Sequence, residues 1–244
     1  MNQYFMEMLL FYAPDFTVKN PDLPDDEAHH ALKVLRLGVG DALQITNGKG
    51  NLHTAKIVSV EKAKPRLQVT ATQTGFGKRD HHIHIAVAPT KNTDRTEWLV
   101  EKCVEMGVDA ISFIQCDHSE RKHFKTDRLE KIAISAMKQS LKAYLPVVSE
   151  MVPFGKFVSR FSNEPSTQLF IAHLGEGEKQ YLSKTANPGG GCCVLIGPEG
   201  DFSPQEIRLA VASGFRAVSL GDSRLRTETA AMAACHTLNM LNLP

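Results

Sequence analysis

Past residue 81 the chain alternates short apolar runs with amphipathic stretches, and this alternation constrains its fold more than any other feature. Residues 82–88, 110–114, 168–174, 193–196 and 217–220 read as strands, because each is short and most are rich in Val, Ile, Leu or Phe. Residues 94–106, 126–142, 204–213 and 228–241 read as helices. In the first of these, Leu99, Cys103 and Met106 recur at helical intervals, Asp94 and Glu97 have capping-box spacing, and Gly107 provides a stop. Ser203-Pro204-Gln205-Glu206 combines an N-cap serine, a proline at the first helical position and a capping glutamate. Strands that alternate with helices predict an α/β domain with a mostly parallel sheet, binding ligands at the carboxyl ends of its strands.

Residues 9–74 follow another pattern. A helix capped by Asp25 or Asp26 is expected to run to Leu35, with Ala28, Ala31, Leu32 and Leu35 on its apolar face, and to end at Gly38 and Gly40. Residues 42–46, 52–60 and 66–71 then read as antiparallel strands, joined first by a turn at 47–50, which suggests a small barrel. The 244 residues allow one large domain or two modest ones. The shift in pattern favours two: 1–74, a linker at 75–80, and 81–244.

Several function classes are excluded. The apolar run at 4–12 is broken by Glu7, is too short to span a membrane and lacks signal-peptide flanks. The five cysteines have no CxxC spacing, so buried reduced thiols are expected, with no disulfide framework and no metal. No P-loop or GxGxxG fingerprint is present, which disfavours nucleotide hydrolysis and nicotinamide chemistry. His81, His82 and His84 lack a third ligand at metal spacing and read as surface or interface histidines. Ser119, near His118 and His123, lacks a nucleophile elbow. Net charge is +1, yet residues 119–142 hold seven Lys or Arg against three acids, a local excess of +4. That stretch either tracks phosphates or is a solvated helix face with pairs such as Asp127 and Lys131.

Three of the strands run into glycine-bearing loops: Leu174-Gly175, Gly197-Pro198-Glu199-Gly200, and Leu220-Gly221. Glycine there lets backbone donors and acceptors approach a ligand closely, and a nucleoside is a natural fit. In the N-terminal part, His29, Lys33 and Arg36 at i, i+4 and i+7 would form a phosphate-binding stripe on one helix face, or else a solvated face.

Four segments carry a family resemblance: Glu-Trp-Leu-Val-Glu-Lys-Cys-Val-Glu-Met-Gly at 97–107, Ser119-Glu120-Arg121, Ile-Gly-Pro-Glu-Gly-Asp-Phe-Ser-Pro-Gln-Glu at 196–206, and Leu-Gly-Asp-Ser-Arg-Leu-Arg-Thr-Glu-Thr-Ala at 220–230. They resemble the RsmE family of SPOUT RNA methyltransferases, the last two being highly specific together. His29-His30, Val34-Leu35-Arg36-Leu37 and Gly40-Asp41 resemble its N-terminal domain, so the likeness covers nearly the whole chain. Only residues 1–7 look extra, with Met8 a plausible alternative start. The resemblance implies a PUA-like RNA-binding β-barrel, followed by a trefoil-knotted α/β methyltransferase domain, in a cytoplasmic homodimer with no membrane association. It implies S-adenosylmethionine as cofactor, S-adenosylhomocysteine as product and, as target, N3 of one uridine in the decoding region of 16S rRNA in the small ribosomal subunit. The alternatives are a SPOUT methyltransferase acting on another RNA and a non-catalytic RNA-binding assembly factor, which a cofactor-binding assay separates from an enzyme.

On this resemblance the cofactor is held by Leu174, by Ile196, Gly197, Pro198, Glu199 and Gly200, and by Leu220, Gly221, Leu225 and Arg226, with Thr229 and Ala230 at the start of the adjoining helix. Asp201 stands where the family usually has a second glycine. Methyl transfer to uracil N3 requires loss of a proton and stabilisation of the resulting anion. Arg226 is the first candidate for that charge, Glu228 a second catalytic candidate as base, and a structural Arg226–Glu228 pair is the competing reading. RNA contacts are expected from His29, His30, Lys33 and Arg36, and from Ser119, Arg121, Lys138 and Gln139.

Overall fold

A computed structural model describes residues 9–122, 125–161, 166–175, 177 and 179–243; His123 and the possible start at Met8 lie outside them. The chain divides into two compact units, Met1–Lys78 with Met137–Leu145, and Arg79–Ala136 with Pro146–Pro244.

The first unit holds β1 (Leu10–Tyr12), β2 (Ala42–Thr46), β3 (Asn51–Glu61) and β4 (Lys64–Thr74), in sheet order β1-β2-β3-β4. β1 runs parallel to β2, and the other pairs are antiparallel. Side-chain alternation sends Leu43 and Ile45, Ala55 and Ile57, and Leu67 to one face, where they pack with Phe11, Phe16 and Leu23. Helix α1 (Asp25–His29) adds Ala28, but it does not continue as an α-helix to Leu35 as expected. From His30 to Val34 it widens to a π-helix, closed by the Leu35 N–H donating to the His30 carbonyl at 2.9 Å, and Arg36 then turns to φ +57°.

Residues 137–145, expected within the second domain, belong to this first unit. The Thr46 hydroxyl donates to the Ala143 carbonyl at 3.1 Å and the Leu145 N–H to the Gly48 carbonyl at 2.9 Å. A Cβ on Gly50, which sits at φ +88°, would lie 2.3 Å from the far end of the Tyr144 ring, so the glycine makes room for that ring.

The second unit is a seven-stranded parallel sheet: β5 (His81–Val87), β6 (Ala110–Gln115), β7 (Val147–Pro153), β8 (Thr167–Ala172), β9 (Gln180–Tyr181), β10 (Gly190–Ile196) and β11 (Arg216–Ser219), ordered β7-β6-β5-β10-β8-β11-β9. Its helices are α2 (Thr93–Met106), α3 (Asp127–Gln139, whose last three residues count with the first unit), α4 (Phe154–Val158), α5 (Leu182–Thr185), α6 (Pro204–Ala212) and α7 (Thr227–Leu241). On one face Phe154, Phe157, Phe202 and Phe215 pack against Leu169, Ile171 and Leu195. α7 packs against β5, β10 and α2, the last contact bringing the Cys235 thiol 3.7 Å from the Cys103 carbonyl. All five cysteines are free and buried, and burial pushes the thiols of Cys116, Cys192 and Cys193 up, away from reactivity. No described helix is long and apolar enough to cross a membrane.

Two local readings change. α2 is capped by Asn92, whose side chain accepts the Asp94 N–H at 2.9 Å, and not through Asp94 and Glu97. His84 is half-buried against the core and does not lie free at the surface. Its ring bonds the Ser112 hydroxyl at 2.9 Å and packs edge-on to Phe157. Burial, then the nearby His82 and Arg160, lower its pKa to about 4. The unfolded imidazole protonates near 6.5, so between those values the unfolded chain binds more protons and stability falls as pH drops through the window. The expected loss is about 3 kcal/mol. Urea unfolding between pH 7 and pH 4 should show this slope, reduced by that amount in His84→Gln; equal slopes in both proteins would refute it.

Candidate functional site

The sheet order carries the site. β10, β8 and β11 are neighbours although 190–196, 167–172 and 216–219 are far apart in the chain, and their registers level the carboxyl ends, with Ile196 opposite Ala172 and Ala172 opposite Val218. The three glycine-bearing loops therefore converge. Between them lies a cavity of about 500 Å³, within the usual range for a small-molecule or cofactor site.

Its floor is apolar, formed by Ala172, Ile196 and Val218 at the strand ends. The β10 loop supplies Gly197, Pro198, Glu199 and Asp201, and the Asp201 N–H closes a turn on the Pro198 carbonyl at 2.9 Å. Gly197 is required by close approach, because a Cβ there would lie 3.1 Å from the Phe202 ring. The β11 loop supplies Leu220, Gly221, Leu225 and Arg226. Gly221 sits at φ +142°, a conformation that side chains rarely adopt. The far end of that loop is tied to the β10 loop by the buried Thr227 hydroxyl, which donates to the Gly197 carbonyl at 3.0 Å.

The β8 loop contributes His173 and Leu174. Burial and Lys179 lower the His173 pKa, outweighing Asp201, so the ring is neutral at pH 7. Its Nδ1 accepts the Gly175 N–H at 3.1 Å, which leaves the proton on Nε2. Arg95, from the first turn of α2, and Arg224 join Arg226 on the wall, so three arginines line one cavity. Glu199 is exposed at the rim and accepts the Lys91 N–H at 3.2 Å.

An RNA methyltransferase domain model matches residues 78–239, and an RNA methyltransferase PUA domain model matches residues 23–70. The crystal structure of a probable rRNA methyltransferase from Porphyromonas gingivalis is 44% identical, with 96% of this chain and 98% of that one covered and a TM-score of 0.88. A ribosomal RNA small subunit methyltransferase E from Neisseria gonorrhoeae, crystallised with S-adenosylmethionine, is 29% identical at the same coverage, with a TM-score of 0.84. The like-named protein of Buchnera aphidicola is 29% identical over 90% of this chain and 87% of its own. The chain belongs to the RsmE family of RNA methyltransferases. Its fold is accordingly the SPOUT α/β domain preceded by a PUA-like domain.

In this family member the cavity gathers Leu174, Ile196, Gly197, Pro198, Glu199, Leu220, Gly221, Leu225, Arg226 and Ala230 from the expected cofactor set. Gly200 and Thr229 are not on its wall: Gly200 faces His118, whose Cβ would lie 3.1 Å from an added Cβ. Glu228 is also set back. It is buried, its Oε1 lies 3.7 Å from Arg95 Nε, and its Oε2 has no hydrogen-bond partner among the described residues. Its ion partner is thus Arg95 and not Arg226.

The expected RNA contacts are dispersed. His29, His30, Lys33 and Arg36 are exposed, but the π-turn and the left-handed Arg36 break the α-helical stripe. Lys138 pairs with Glu27 at 2.5 Å, while Gln139 is exposed. Ser119 is buried, its hydroxyl accepting the Cys116 N–H at 2.9 Å. The Arg121 guanidinium is held by the Thr90 and Lys91 carbonyls and the Thr93 hydroxyl, at 2.7–3.2 Å. Arg128 pairs with Glu97 at 2.8 Å. Three cations of the basic run are therefore structural, with partners outside the run.

Sequence reasoning missed Arg95, His173 and Arg224 as cavity residues and marked Asp201 only as a departure from the family's glycine. Each lies just past a strand's carboxyl end or in a loop already singled out, so the rule that placed the site could have included them. Among the described residues no group of three or more His, Cys, Asp or Glu could hold a metal.

Proposed function

We propose that the protein methylates N3 of a specific uridine in the decoding region of 16S rRNA, within the small ribosomal subunit, using S-adenosylmethionine and releasing S-adenosylhomocysteine. One observation carries the reading: a cavity at three level strand ends, apolar at its floor, walled by backbone of glycine-bearing loops and bearing three arginines. The cofactor would supply an electrophilic methyl on a positively charged sulfur. The apolar floor suits an adenine ring. Glu199 suits a ribose hydroxyl, and the carbonyl of Leu174 and backbone groups of Ile196, Gly197, Leu220 and Leu225 orient the remainder.

Catalysis then consists of alignment and charge stabilisation. Arg226, on the cavity wall, stabilises the anion that develops on the uracil oxygens as N3 gives its proton to solvent water. Glu228, behind the wall, holds Arg95 toward the cavity in place of acting as base. In this reading residues 1–74 with the segment 137–145 are the RNA-binding domain, 75–80 the linker and the rest of 81–244 the methyltransferase domain, knotted as a trefoil, in a cytoplasmic homodimer. Exposed His29, His30, Lys33, Arg36 and Gln139 are available for RNA.

The test is transfer of labelled methyl to small subunits lacking the modification, followed by identification of the product nucleoside. Label in 3-methyluridine is expected. Cofactor binding without label points to another RNA, and absence of cofactor binding points to a non-catalytic assembly factor.

A further inference from the structure

Asp201 lies on the cavity wall at φ +62°, a backbone conformation that costs an L-residue energy and that glycine adopts freely. Its side chain is fully engaged. Oδ2 accepts the Leu174 N–H at 2.7 Å, and Oδ1 accepts its neighbour's, Phe202, at 2.8 Å. The first bond crosses between two of the three loops that form the cavity, joining the β10 loop to the exposed Leu174 of the β8 loop. The same turn is gripped from behind by the His118 ring, which lies 3.1 Å from the Gly200 carbonyl and 3.0 Å from that of Asp201.

We infer that Asp201 is a positioning residue for the cofactor: its carboxylate clamps the Leu174 loop against the β10 loop and holds the cavity in its binding shape before the cofactor arrives. The inference rests on the reading of the cavity as the S-adenosylmethionine site. An aspartate in a left-handed turn forgoes the ease of glycine, and the bond that only its side chain can make reaches a loop that has no backbone hydrogen bond to the turn among those described. The Leu174 N–H is also withdrawn from ligand binding, so Leu174 meets the cofactor through its carbonyl and side chain only.

Asp201→Gly and Asp201→Asn separate the clamp from the turn. Glycine relieves the backbone but removes both acceptors, whereas asparagine keeps one oxygen. Binding of S-adenosylhomocysteine by calorimetry, thermal unfolding, and hydrogen exchange at the Leu174 amide are compared in the full chain. The expected result for Asp201→Gly is about ten-fold weaker binding and faster Leu174 exchange, with a melting temperature equal to or above that of the unsubstituted protein. Asp201→Asn should be intermediate. A purely structural role would instead lower melting and binding together. Unchanged binding and Leu174 exchange in Asp201→Gly would overturn the inference alone. Failure of the unsubstituted protein to bind would overturn the site reading on which it depends.

Discussion

Arg226→Ala is expected to lower methyl transfer by roughly 10²–10³-fold while leaving S-adenosylhomocysteine binding within a few-fold. Among the described residues no carboxylate pairs with Arg226, because Glu228, the nearest candidate in sequence, is turned to Arg95. Arg226 is exposed at the cavity and occupies the N-cap position of α7 without a side-chain capping bond, so its removal leaves no buried partner unsatisfied. A structural explanation for lost activity is therefore weak in advance. Rates are read under saturating cofactor, with binding measured by calorimetry on the same samples. Arg226→Lys should recover only a small part of the rate, since an ammonium cannot reproduce the planar fork of a guanidinium. A variant with near-normal rates would transfer the charge-stabilising role to Arg95 or Arg224, and one that loses cofactor binding and rate in equal measure would make Arg226 a cofactor ligand.

What the sequence made legible was local. The apolar runs of β5, β6 and β10, buried on both faces, announce themselves as continuous hydrophobic stretches, and the Ser203 to Glu206 motif announces a helix start. β7 escaped notice because it is an edge strand whose residues are only half-buried, with no run or strict alternation to mark it. The π-turn at His30–Val34 escaped because an apolar period of 3.6 also fits a helix that widens midway. The cavity was legible as three separate loops but not as one place. Their convergence depends on β8 lying between β10 and β11, a matter of chain path that no local pattern encodes. The same limit explains Lys138 and Arg121: a basic run in sequence does not reveal that Glu27 or the carbonyls of the β5 loop will take its charges. Asp201 was legible as a departure from the family's glycine, yet its two hydrogen bonds depend on how the β8 and β10 loops come together.

Glu206→Ala is expected to destabilise the second unit by about 2–4 kcal/mol. Its capping role was readable from the sequence, and the structure doubles it. Oε2 accepts the Ser203 N–H at 2.9 Å, completing the capping box, while Oε1 accepts the Asp117 N–H of the loop after β6 at 3.0 Å. The Ser203 hydroxyl in turn donates to Asp117 Oδ2 at 2.6 Å and accepts the Glu206 N–H at 3.2 Å, so one buried carboxylate fixes a helix start and a neighbouring loop together. Alanine strands two backbone donors and leaves the Ser203 and Asp117 side chains to hold the contact alone. Glutamine keeps the shape but brings an NH₂ where an N–H must be accepted, and it should cost roughly half as much. Trp98, the single tryptophan, lies on α2 in the same unit and reports its unfolding in urea by fluorescence. Because Asp201 and Phe202 immediately precede this helix, cofactor affinity should fall with stability in Glu206→Ala, in contrast to Asp201→Gly, where the two are expected to separate. A loss below about 0.5 kcal/mol, the scale of an ordinary surface substitution, would show that water replaces the carboxylate at both donors and that the β6 loop is held by other contacts.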